Sequence, residues 1–283
     1  MQEITAEWVA VSDEIAIVSR ETGQFWFVDI GALGDLIPFA KPMTGNGTRA
    51  STAGLLNGAV ALGFASEGAE LKERPATLPK YLLDLIGSYH ITRRTPGHFA
   101  QAAKRLRELK RPDLAAYLDM HGREETGHDR LVLKDLRALG LPAETIVANL
   151  VPEGMQPLCD LFDDLCAADY PVGCIGYCYC FESTAAMKKQ PEVEALEALC
   201  PAGVYASRFL RTHSAIGSEA GHVEEMIDFI AGLAASDRTE IVKATYRTAR
   251  TMAGRLRRDG PLSDAAILAK IEAAAGREIH LDA

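Results

Sequence analysis

The sequence predicts a mainly α-helical protein that carries a small β+α module at its N-terminus. Three observations predict it. Runs rich in β-branched and aromatic residues occur only before residue 66. From Lys80 onward, Pro and Gly punctuate segments of helix length. Several apolar helical stripes in that later region carry His and Glu in place of aliphatic residues.

The N-terminal elements follow in order. Trp8-Val-Ala-Val, Glu14-Ile-Ala-Ile-Val and Gln24-Phe-Trp-Phe-Val-Asp-Ile are short β-rich runs separated by Ser-Asp and Glu-Thr-Gly turn signals. They predict a three-strand meander. Helices are expected at Ala32–Phe39 and Thr48–Asn57, which makes the module winged-helix-like. Residues 1–72 constitute this module, Lys72–Pro79 with its two prolines reads as a linker, and residues 78–283 constitute the helical domain.

In the helical domain, Thr95-Pro96 opens one helix. Pro112-Asp113 opens another that is expected to run to Leu139, with Gly140 just past its end and Pro142 beyond. Pro171, Pro191, Pro201 and Gly260-Pro261 divide the remainder into segments normal for a helical bundle.

Composition excludes several classes of function. With 283 residues, 48% of them apolar, the chain can fill a core, so general disorder is excluded. A net charge of −9 argues against wrapping a nucleic-acid backbone. The stretch Ala53–Ala65, interrupted by Asn57, is too short for a membrane span. The opening MQEITAEWVAVSDE has neither the basic nor the apolar region of a secretory signal. The six cysteines, Cys174, Cys178 and Cys180 among them, form neither a disulfide framework nor a zinc-site spacing, and read as reduced thiols. A cytoplasmic protein is expected. All seven histidines lie at or after His90, so metal or acid–base chemistry belongs to the last three-quarters of the chain.

There the polar residues stand where a core should be. The expected helix over 113–139 has the stripe Leu114, Leu118, His121, Glu125, His128, Val132, Asp135, Leu139. At 100° per residue, His121, Glu125 and His128 share one face. A buried carboxylate needs a partner or a cation. Glu219-Ala-Gly-His222 repeats the spacing of Glu125-Thr-Gly-His128, and its stripe continues through Met226, Phe229/Ile230 and Leu233. A third stripe, Ile175, Cys178, Glu182, Ala185, holds one carboxylate. Two Glu-x-x-His units with a further carboxylate form the ligand set of a carboxylate-bridged di-iron or di-manganese centre. His213 lies opposite His222 on a regular helix and joins the cluster only through a π-bulge near Ile216-Gly217-Ser218.

The segment from Leu118 to Gly140 resembles the second core helix of the heme-oxygenase-like di-iron oxidases, especially the group called iron-containing redox enzymes. Glu125 and His128 stand in its Glu-Glu-x-Gly-His-Asp stretch. Glu182 follows 54 residues after His128, and His213 and His222 follow 31 and 40 residues after Glu182. The resemblance covers about Tyr81–Leu233. It implies a heme-oxygenase-like bundle, two iron ions, O2 as cosubstrate and an external electron donor. The implied ligands are His121, Glu125, His128, Glu182, His213, Glu219 and His222. Tyr177 and Tyr179 flank Glu182 as candidate pocket residues beside the catalytic carboxylates Glu125 and Glu182. The last ligand helix departs from the His-x-x-x-Asp-x-x-His of many members, and the early-helix carboxylate is open between Asp84 and Glu108.

Ser12–Ala65, with Thr22-Gly-Gln-Phe-Trp-Phe, resembles the peptide-recognition domains of ribosomal-peptide (RiPP) biosynthesis, relatives of the small protein that binds the pyrroloquinoline quinone precursor. Such modules take a leader peptide as an added strand. Together the two resemblances imply a di-iron oxygenase that hydroxylates a precursor peptide, with N-hydroxylation of an arginine as one form. The acidic run Asp160/Asp163/Asp164 suits a basic substrate. The alternatives are a di-iron oxidase of a free amino acid or fatty acid, a metal-free cofactor-biosynthesis enzyme of the same fold, and a ferritin-like iron binder. Neither nucleic acid nor membrane is expected as a partner, and a homodimer is left open.

Overall fold

A computed structural model describes residues 6–32, 41–43, 45–68, 76–217, 221–279 and 281. The chain forms two compact units, each assembled from three stretches: residues 1–70, 170–183 and 221–253 in the first, and residues 71–169, 184–220 and 254–283 in the second.

In the first unit, strands β1 (Ala6–Ala10), β2 (Ile15–Arg20) and β3 (Phe25–Asp29) form the antiparallel meander that the sequence predicts. Ser12 Oγ accepts from the amides of Glu14 and Ile15 and closes the first turn. Gly23, with φ of 82°, makes the second. A two-residue strand β4 (Lys41–Pro42), which the sequence did not suggest, pairs parallel to β1, so the order is β3-β2-β1-β4. The central strand β2 is buried from Ala16 to Ser19. The helix expected at Ala32–Phe39 lies almost wholly outside the described residues.

Helix α1 (Arg49–Ser66) starts where expected, with Thr48 Oγ1 accepting from the Ser51 amide at 3.0 Å, but runs nine residues past Asn57. Its glycines mark close approaches, not an end. A Cβ on Gly58 would stand 2.6 Å from Ile17 Cγ2 of β2. One on Gly63 would stand 2.5 Å from Ala249 Cβ, in helix α12 (Ala235–Asp259). Helix α8 (Gly173–Ala185) reaches the same long helix, where a Cβ on Gly176 would overlap the Ile241 carbonyl and Thr245 Oγ1 donates to Gly176 O at 3.1 Å. Helix α11 (His222–Ala231) completes this unit. The sheet is tied in by Arg238 of α12, fully buried, which donates to both carboxylate oxygens of Glu7 in β1.

All regular elements described in the second unit are helices. Its helices are α2 (Leu78–Thr92), α3 (Thr95–Glu108), α4 (Pro112–Glu124), α5 (His128–Ala138), α6 (Ala143–Asn149), α7 (Gln156–Ala167), α9 (Gln190–Glu197), α10 (Arg208–His213) and α13 (Asp264–Ala275). Leu82, Leu85 and Ile86 of α2, Val132 and Leu136 of α5, Ile146 of α6 and Ile267 and Ile271 of α13 form one apolar core. The N-cap Thr77 accepts from the Lys80 amide and donates to Asp264, which joins α2 to the start of α13. Among the described residues no helix is long and apolar enough to cross a membrane. All six cysteines are free thiols, four of them buried.

Two expectations are corrected. The single helix over 113–139 is two helices, α4 and α5, because Gly127 takes a φ of +98° that breaks the helical path. Its ends, Pro112 and Gly140, stand as expected. The α8 stripe is too narrow a reading: Tyr177 and Tyr179, off that stripe, are fully buried along with Cys174, Gly176 and Cys180. Of the stripe itself, Ile175 is buried while Cys178, Glu182 and Ala185 are only half-buried.

Candidate metal centre

The break in the 113–139 segment builds the site. Glu125 caps the C-terminus of α4, Gly127 caps the N-terminus of α5, and His128 is the first residue of α5. The stripe still holds across the break: Leu118, His121, Glu125, Val132 and Asp135 are all buried. The turn brings Glu125 Oε2 to 3.0 Å from His128 Nδ1. His213, at the end of α10, packs edge-on against the His128 ring with centroids 4.9 Å apart. One ligand atom from each of Glu125, His128 and His213 lies within 4.8 Å of the others.

The electrostatics favour a charged carboxylate. Burial pushes the Glu125 carboxyl up, but the hydrogen bond from His128 and the fields of His213, His128 and His121 outweigh it and hold it below the ordinary carboxylate range. A buried anion among imidazoles suits a cation better than a neutral pair. One carboxylate oxygen and two imidazole nitrogens are the donor set of the non-heme ferrous site, so these residues fit iron. A metal taking Glu125 Oε2 and His128 Nδ1 would replace the hydrogen bond between them, so a proton on Nδ1 would leave or move to Nε2.

The other predicted residues are placed as follows. His121 is buried on the last turn of α4, with its ring 4.5 Å from that of Tyr117. Glu182 is half-buried on α8 and His222 is half-buried as the first residue of α11, both in the first unit. Glu219 lies outside the described residues. The π-bulge at Ile216-Gly217-Ser218 is replaced by a helix end: α10 stops at His213, and Ser214 to Gly217 form bends and turns. Tyr179 donates to Asn57 Oδ1 at 2.9 Å, and its burial raises the phenol pKa, so it stays protonated. Tyr177 packs on Phe181. Both early-helix carboxylates are exposed and ion-paired, Asp84 with Arg255 and Glu108 with Arg105. Asp163 of the acidic run is engaged by His98 at 2.7 Å, and Asp160 by Gln156. His90 is buried against Leu150 O, and burial lowers its pKa.

The signal for the helix break was in the sequence, as the Thr126-Gly127 pair before His128. Gly221 stands in the same way before His222 and caps α11. A Cβ on Gly127 meets nothing within 4 Å, so Gly127→Ala tests backbone strain alone. It is expected to cost about 1–2 kcal/mol in thermal unfolding, and to weaken iron binding by distorting the turn between two ligands.

Comparison with known proteins agrees with the fold. The described fold is similar to that of a domain of unknown function with a heme oxygenase-like fold from Shewanella denitrificans OS217 (TM-score 0.60, 20% identity, 72% of this chain and 89% of that one). It is also similar to a TenA homolog from Pseudomonas syringae pv. tomato str. DC3000 (TM-score 0.53, 15% identity, 77% and 94% coverage). At these identities the likeness shows the fold alone. No curated protein matches the chain. A family model described as iron-containing redox enzyme matches residues 83–253, a span that contains Glu125, His128 and His213. More than half of the chain is matched, and the chain therefore belongs to the iron-containing redox enzyme family.

Proposed function

We propose that this protein is a non-heme iron oxygenase that oxidises a side chain of a ribosomally made precursor peptide. The observation that carries the iron chemistry is the group formed by buried Glu125 with half-buried His128 and His213. Iron bound there supplies reductive O2 chemistry: in a hydroxylation, one oxygen atom enters the product and the other leaves as water, with two electrons and two protons from an external donor. Glu125, held in its charged form, would neutralise part of the bound cation's charge. Leu118 and Val132, on either side along the stripe, are buried. A second iron is proposed from the sequence pattern alone, in which Glu219 and His222 repeat the Glu-x-x-His spacing.

The peptide part of the proposal rests on β3. It is an edge strand of the described sheet, and Phe25 and Phe27 on its α1-facing side are 37% and 41% exposed. An edge strand with exposed aromatics accepts an extended segment as an added strand. Phe27→Asp is expected to lower precursor-peptide affinity about tenfold, roughly 1.4 kcal/mol, with iron content unchanged, as read by fluorescence anisotropy. Unchanged affinity would leave a free amino acid or fatty acid as the preferred substrate.

The test of the iron reading is anaerobic Fe(II) loading followed by metal analysis and O2 uptake. Bound iron and iron-dependent O2 uptake with an organic substrate are expected. Full turnover in the presence of chelator would favour a metal-free enzyme. Fe(II) oxidation with no organic product would favour an iron store.

A further inference from the structure

Helix α10 has only six residues and a single buried one, Leu210. So short a helix does not hold itself, and its first amides have no partners within it. Yet it carries His213. Leu210 seats it in the apolar core, with Phe209 packed alongside, and polar contacts fix its first residues. Asp135 of α5, fully buried, takes three donors from the start of α10: Oδ1 accepts from the Arg208 amide at 3.1 Å and from Arg208 Nη1 at 3.0 Å, and Oδ2 accepts from the Phe209 amide at 2.9 Å. The ring of that same Phe209 packs against the His213 ring, with centroids 4.5 Å apart. A second carboxylate, Glu197, grips Arg211 of α10 through both Nε and Nη2.

We infer that Asp135 is a positioning residue for the metal centre: it registers α10 on α5 so that His213 meets His128 and Glu125. The inference rests on the triad reading above. Asp135 lies seven residues, two helical turns, beyond His128 on the same rigid helix. The anchor and one ligand are thus fixed to each other, and the path Asp135–Phe209–His213 returns to His128. A buried carboxylate is a poor device for stability alone. Burial pushes its pKa up, against the pull of the Phe209 and Arg208 donors, and an apolar residue of similar size would cost less. Its geometric value is that two oxygens aim two successive amides, which an apolar side chain cannot do. The same charge suits the N-terminus of α10.

The test uses the full-length protein, with Co(II) as a spectroscopic probe and Fe(II) for affinity. Asp135→Asn keeps the shape but presents an NH2 group to one of the donors. It is expected to lower metal affinity about 10–100-fold, as loss of an outer-shell partner does, and to move the Co(II) ligand-field spectrum toward that of His213→Ala. Leu136→Ala, a cavity in the core beside Asp135, controls for stability: it lowers Tm but leaves affinity and spectrum as in the wild type. Wild-type binding by Asp135→Asn, with binding lost in His213→Ala, would overturn the inference and leave the triad standing. Wild-type binding by His213→Ala would overturn the triad itself. Should Asp135→Asn fail to fold, Arg208→Ala keeps the carboxylate and both amides and removes the Nη1 bond to it, along with the Arg208 contacts to Tyr205. It is expected to lower affinity about threefold, the worth of one net hydrogen bond, and no change there would overturn the inference.

Discussion

Glu125→Ala is expected to lower Fe(II) affinity by at least about 100-fold, beyond the loss that follows removal of an outer-shell partner. Glu125 is the sole carboxylate of the Glu125–His128–His213 group, and it sits where desolvation makes an anion costly. Without it, two imidazoles face a divalent cation with no charge to balance it. Anaerobic equilibrium dialysis with Fe(II) checks the loss, and retained wild-type affinity would refute the assignment. Glu125→Gln separates charge from shape, because it keeps the volume and loses the anion. It also has a consequence for the metal-free protein. The Glu125 carboxyl is depressed in the folded state, so its interactions contribute stability that is full above the unfolded carboxylate pKa. That stability is lost as pH falls through the lower folded value. Glu125→Gln is therefore expected to flatten the acid limb of the stability profile, as measured by urea unfolding at stepped pH.

Glu7→Ala is expected to destabilise the protein by about 3–5 kcal/mol, the cost of breaking a buried ion pair from one side. Arg238 is fully buried and donates to Glu7 at 2.6 and 3.3 Å, and Ser51 Oγ adds a third bond to the same carboxylate. Removing Glu7 leaves a buried guanidinium whose remaining acceptor among the described residues is Gly45 O. A Cβ on Gly47 would overlap the guanidinium, so the loop is closed over it and leaves little room for water. The double variant Glu7→Leu, Arg238→Met should recover much of the loss, because no charge is then buried. Chemical denaturation reads both, and a loss under about 1 kcal/mol would place the pair among the weak surface bridges. The pair also bears on how the peptide proposal is tested. Deleting the first strands would strip Arg238 of Glu7 within the same compact unit, so Phe27→Asp on the sheet edge is the cleaner variant.

Much of the centre was legible in the sequence because burial follows helical period even where the helix breaks. The stripe from Leu114 to Leu139 predicted buried His121, Glu125 and Asp135, and all three are buried. The stripe from His222 through Met226 and Ile230 to Leu233 is likewise buried beyond its first residue. The meander was legible because β-branched and aromatic runs between turn residues have few other solutions. Less was legible where one residue decides the backbone. Gly127 splits a helix that propensity alone would continue, and Asn57 did not end α1 because the sheet and α12 bury both sides of it.

By itself the sequence determined the residue types of the centre and their faces: an acid, imidazoles and a second buried acid at helical spacing. Those are properties of local period. Only the tertiary structure decided that His213, more than 80 residues away in the chain, stands beside His128, and that Asp135 holds the helix that brings it there. Neither contact has a local period to announce it. Each depends on two short helices packing in one register, and that register is set by three hydrogen bonds to a single carboxylate.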